Sequence, residues 1–102
     1  FSKVLIGEDQ IELWPQFIDL IAASISDNGG RSCVNASAVV VPKYGVEIAE
    51  ALAQKLGPVQ PLPREDDNAR LSGFSNPKMA EFIDGAIETG LKDPGAEDVT
   101  AK

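Results

Sequence analysis

The chain contains no histidine and a single cysteine, Cys33, among its 102 residues. Without histidine there is no Cys–His dyad within it, which excludes a self-contained papain-like hydrolase. One thiol and no imidazole leave no soft-ligand cluster for zinc, so no metal site is expected. The same count excludes a CxxC redox pair and an internal disulfide. Such cysteine usage fits a reducing, cytoplasmic setting. Basic residues are also scarce, 9 Lys and Arg against 16 Asp and Glu, for a net charge of -7. A chain of this sign has no electrostatic footprint for nucleic acid or for an anionic membrane surface. No apolar run approaches the roughly 20 residues that cross a bilayer. The opening "FSKVLIGED" lacks the charged and then apolar order of a signal peptide. "NGGR" lacks the spacing and the lysine of a phosphate-cradling loop.

What is present is globular. Hydrophobic residues make up 43% of the chain, enough for one small core. Val4, Leu5 and Ile6 form a short apolar run ended by Gly7, which predicts a strand buried on both faces. Trp14, Phe17, Ile18, Ile21, Ala22 and Ile25 recur at steps of three and four, the stripe of an α-helix. Pro15 fits only in a first turn, so that helix is expected to start near Leu13 to Pro15. Ile11, Leu13 and Leu20 fall outside the stripe, which predicts a helix buried on more than one side. Asn28 and Gly29 stand at its end, where the left-handed conformation favours these residue types.

"ASAVVVP" predicts a strand over Ala38 to Val41, closed by Pro42. In "YGVEIAEALAQKLGP", Ile48, Ala49, Leu52 and Leu56 share one helical face, and Gly57-Pro58 stops it. "VQPLPREDDNARLSGFS" reads as a surface loop with one helical turn around Asp66 to Leu71. "NPKMAEFIDGAIETG" is helical: Asn76 is an N-cap, Pro77 a first helical residue, and Gly90 an end. Met79, Phe82, Ile83, Ala86 and Ile87 form its apolar face, with Met79 and Phe82 assigned to the core. Trp14 is assigned a packing role, and the run Glu65-Asp66-Asp67 a solvated loop rather than a cation site. The order strand, helix, strand, helix, loop, helix implies parallel strands with helical crossovers. Two strands make a poor sheet, so the sequence reads as a piece of a larger α/β domain.

Cys33 admits two readings. A free cysteine is often a small apolar filler of the core. Here, however, it follows the polar, flexible stretch Asn28-Gly29-Gly30-Arg31-Ser32. A nucleophilic thiol needs positive charge or oriented N–H groups nearby. Arg31 offers charge, a glycine turn offers close approach, and the cysteine's own N–H offers an oxyanion donor. Asn35, Ala36 and Ser37 leave room for a ligand.

Asn28-Gly29-Gly30-Arg31-Ser32-Cys33 resembles the active-site turn of the aldehyde dehydrogenase superfamily, commonly Asn-x-Gly-Gln-x-Cys. Arg31 stands where that family usually has Gln. "KVLIGEDQIEL" looks like the strand and acidic turn opening the family's catalytic domain, "FIDLIAASISDN" like the helix running into the cysteine, and "ASAVVVP" like the strand after it. "YGVEIAEALAQKL" and "NPKMAEFIDGAIETGL" are similar to two later helices. The resemblance implies that residues 1–102 are a partial catalytic domain in a parallel-sheet α/β fold. The family's nucleotide-binding glycines, catalytic glutamate and oxyanion asparagine lie upstream of such a segment and its Glu-x-Phe motif downstream, so the cofactor-binding domain is not in this sequence. It further implies NAD(P)-dependent oxidation of a small-molecule aldehyde. Cys33 would be the nucleophile, and Asn28, Gly29, Gly30 and Arg31 would shape the turn. Release of the acyl group to coenzyme A is the alternative within the family, and a homo-oligomer is expected of the full-length parent. From another class, a small non-catalytic interaction domain would keep Cys33 as a structural residue.

Overall fold

A computed structural model describes residues 1–100; the last two residues of the polar tail lie outside the described range. Strand β1 (Ser2–Leu5) pairs in parallel with β2 (Ala36–Val40), so that Val4 faces Val39 and Leu5 faces Val40. Ile6 N extends the ladder by donating to Val40 O at 3.1 Å. The register slips between Ser2, opposite Ala36, and Lys3, opposite Ala38. Ser37, skipped by that slip, donates its hydroxyl to Ser2 O at 3.0 Å. The parallel pair and its helical crossover are as expected from the alternation of elements.

The crossover begins as a 3-10 helix, Ile11–Phe17, and becomes α1 at Ile18–Ser26. Pro15 explains the delay relative to the expected start. It lacks an N–H and its ring crowds the carbonyl four residues back, so the tighter helix persists until Pro15 is passed. Helix α2 spans Gly45–Leu56 and α3 spans Pro77–Gly90. The described residues thus form a small α/β domain of three α-helices and a two-stranded parallel sheet.

The core lies between the sheet, the 3-10 segment, α1 and α2. Ile11, Ile18, Ile21, Ala22, Ile48 and Leu52 are its buried members. Val4, Ile6, Trp14, Phe17, Val39 and Leu56 pack against them. Each fully buried isoleucine contributes about 1.5–3 kcal/mol through apolar area removed from water.

Four expectations are corrected. The helix over α1 is buried on one side only: Leu13 and Leu20 point outward, while Ile11 is fully buried. Strand β1 alternates half-buried and exposed residues, and Leu5 is exposed rather than covered on both faces. Asp66 to Leu71 forms no helix. Two successive turns, Asp66 N to Pro63 O at 3.0 Å and Ala69 N to Asp66 O at 2.9 Å, lead into an isolated parallel bridge between Pro61 and Leu71. Finally, α3 buries none of its residues: Met79, Phe82, Ile83 and Ile87 are exposed, not core. Helical spacing identifies an apolar face but not what covers it. The ends of α3 are as expected, with Asn76 Oδ1 accepting from Lys78 N at 3.1 Å and Pro77 in the first turn. Trp14 packs against the core, and Glu65, Asp66 and Asp67 are exposed. No helix among the described residues is long and apolar enough to cross a membrane.

Candidate functional site

Helix α1 stops at Ser26, and the chain must turn back within nine residues to start β2 at Ala36. It does so through three consecutive left-handed residues, Asn28 (φ 52°), Gly29 (φ 65°) and Gly30 (φ 71°). Glycine adopts this region without steric cost, and asparagine is among the side chains that tolerate it. At Gly30 a Cβ would come within 3.2 Å of Ile25 O, so the turn also needs the missing side chain for space.

Asn35 braces the turn. Its Nδ2 donates to Ser24 O at 2.9 Å and to Asp27 O at 3.0 Å, while its Oδ1 accepts from Ser32 N at 2.7 Å. Two carbonyls left open at the end of α1 are thereby satisfied from the far side of the turn. The sequence reading treated Asn35 as a small neighbour and missed this role. The available signal was a lone amide between polar turn residues and an apolar strand, placed to bond backbone three residues back.

Cys33 sits on the outer limb of this turn as an exposed free thiol. Its carbonyl accepts from Ser2 Oγ at 3.0 Å, which ties the turn to the start of β1. Among the described residues, neither its Sγ nor its N–H makes a hydrogen bond. The helix-to-strand bend and the exposure of the sulfur agree with the sequence reading, and the thiol is not a core filler. Its chain neighbours Ser32 and Val34, with Leu20, Ser24, Asn28 and Asn35, line a hollow of about 320 Å³ of which Cys33 itself is not a wall.

Arg31 bonds both within the turn and across to a later loop. Its Nε donates to Asn28 O at 3.1 Å and its Nη1 to Ser72 Oγ at 3.4 Å. The guanidinium therefore binds the turn to the loop after Leu71 and makes no hydrogen bond to Cys33. Asn28 adds a side-chain bond to Ser32 Oγ at 3.3 Å. The structure thus brings Asn28, Gly29, Gly30, Arg31 and Cys33 together in one braced turn.

A second polar cluster escaped the sequence reading because its members are far apart in the chain. Glu12 accepts from Lys43 Nζ and, at 2.7 Å, from Tyr44 Oη. These two bonds, the lysine's first, hold the Glu12 carboxyl below its ordinary range. The same contacts raise Lys43 and Tyr44 above theirs. Tyr44 takes a left-handed conformation (φ 62°) at the start of α2, at a cost of about 1–2 kcal/mol. Its bond to Glu12 and its packing against the core hold it there. The cluster joins the 3-10 segment to the start of α2. No group of three or more metal-ligating side chains occurs among the described residues.

The turn after β1 is a poor place for a dinucleotide. It carries exposed Glu8 and Asp9, whose charges oppose a pyrophosphate. No family model, curated protein or solved structure matches the chain.

Proposed function

We propose that this chain presents the nucleophilic thiol of an NAD(P)-dependent, aldehyde-oxidising enzyme, with the cofactor held by residues outside those described. One observation carries the reading. An exposed, unpaired cysteine stands on a turn of three left-handed residues between a helix end and a parallel strand, in the sequence setting that resembles the aldehyde dehydrogenase turn.

The step this chain supplies is the first. Cys33 loses its proton to solvent or a base, and Sγ bonds to the aldehyde carbonyl carbon. The carbonyl electron pair moves onto oxygen, and the Cys33 N–H is a donor available to that oxygen. The exposure of Cys33 leaves a small carbonyl compound room to approach. Oxidation of the adduct belongs to the cofactor domain. Release of the acyl group to water or to coenzyme A separates the two forms of the reading. The competing interaction-domain reading draws on the open apolar face of α3, while the exposure of Cys33 supports the nucleophile reading.

The test is aldehyde-dependent reduction of NAD⁺ or NADP⁺ by the full polypeptide that carries this sequence, with and without coenzyme A. Cys33→Ser is expected to lower the rate by about a thousandfold or more. A stimulated rate with coenzyme A would select the acylating form. Retention of activity in Cys33→Ala would overturn the proposal, as would its absence with every aldehyde tried.

A further inference from the structure

A second hollow shares Gly29 and Arg31 with the cysteine turn. It measures about 520 Å³ and is bounded by Gly29, Arg31, Leu71, Ser72, Phe74 and Ser75, among others. That volume is in the range of small-ligand sites. Its walls combine the apolar side chains of Pro61, Leu71 and Phe74 with two hydroxyls and one cation. Arg31 spends one N–H on Asn28 O and one on Ser72 Oγ. A guanidinium carries five, so three remain for a ligand. Among the described residues, no Asp or Glu forms an ion pair with Arg31.

The Arg70 carbonyl lies 3.5 Å from the Cβ position of Gly29, and the Arg70 guanidinium bonds only to the Asp67 and Ala69 carbonyls. The backbone of Arg70 thus borders Gly29, while Arg31 is the one cation that lines the hollow. The left-handed Gly29 allows the two loops to approach this closely, and Arg31 to Ser72 is the bond that closes them.

We propose that this hollow binds a small oxyanion through Arg31, with Ser72 and Ser75 as hydroxyl donors. Planar N–H groups in a fork match a carboxylate or phosphate edge. Leu71 and Phe74 take the short apolar stem that carries it. Arg31 and Cys33 leave the backbone two residues apart, at most about 7 Å. Given the thiol as nucleophile, the reading on which this assignment rests, the oxyanion belongs to the reactant. It is the far carboxylate of a short-chain aldehyde acid, or a phosphate of the acyl acceptor.

The experiment is an NMR titration of the chain with succinate and, separately, inorganic phosphate, following Arg31 Nε–H and the Gly29 and Ser72 amides. Chloride at matched ionic strength is the control. Saturable shifts with either oxyanion and none with chloride are expected. Succinate binding assigns the site to the substrate tail and phosphate binding to the acceptor. R31Q is expected to weaken binding at least tenfold, and R31K, which keeps the charge but not the fork, to fall between. Unfolding midpoints of both variants show that the fold is kept. C33S is expected to bind like the parent chain, so the site and the nucleophile fail separately. Shifts that chloride reproduces, or full binding by R31Q, would overturn the proposal.

Discussion

Asn35 is the point at which the architecture of the turn can be broken with one side chain. Asn35→Ala removes three hydrogen bonds, two of them partly buried. At about 1 kcal/mol net for each partly buried bond, and less for the exposed one, the loss is about 2 kcal/mol. For a domain of this size that lowers the melting temperature by roughly 10 °C. Asn35→Asp separates bonding from size. Aspartate still accepts from Ser32 N, but it loses both donors and sets a negative charge against Ser24 O and Asp27 O at the negative end of α1. Its cost at neutral pH is therefore larger, about 3 kcal/mol. Those contacts favour the neutral acid, so the introduced carboxyl has a raised folded pKa. Its destabilisation is present above that pKa and shrinks relative to the parent chain as pH falls. Urea unfolding at neutral and acid pH measures both variants, and the alkylation rate of Cys33 reports whether the thiol has shifted. Loss below about 0.5 kcal/mol in Asn35→Ala, the scatter of ordinary surface changes, would refute the reasoning. So would Asn35→Asp as stable as the parent at neutral pH.

Gly30→Ala meets a φ of 71° and Ile25 O at 3.2 Å, and should cost about 2 kcal/mol by urea unfolding, against about 1 for Gly29→Ala, where the nearest atoms are 3.5 Å away. Ile48→Ala should cost about 3 kcal/mol and Phe82→Ala under 0.5, because Ile48 is 2% exposed and Phe82 is 73% exposed. The Glu12 carboxyl is held below its ordinary range by Lys43 and then Tyr44. Its contribution is thus present above the unfolded-state pKa and lost as pH falls through the folded one. Lys43 and Tyr44 are raised, so theirs is present below their unfolded-state values and lost as pH rises through the folded ones. Unfolding midpoints against pH should show both limbs in the parent chain and a weaker dependence at each end in Glu12→Gln.

Local signals carried much of the fold. Asn76, Pro77 and the spacing from Met79 to Ile87 mark α3 because capping and periodicity act within a few residues. The left-handed Asn28 and Gly29 were legible for the same reason. What covers a face was not legible. Leu5 and Leu20 are as apolar as Ile48, and only the tertiary arrangement decides which meet solvent. At the turn, residue types announced an exposed thiol, but the direction of the Arg31 side chain depends on Ser72, far along the chain. The Glu12, Lys43 and Tyr44 cluster was hidden likewise, since exposed charges give no pattern until the elements meet.

The bond from Ser2 Oγ to the Cys33 carbonyl joins residues 31 positions apart. The perch of the sulfur is thus fastened by the opening strand, and cannot be set until a long loop has closed. Parallel pairing of this kind is slow to assemble. Any loosening of the first four residues reaches the thiol at once, as a door swings when its upper hinge works free.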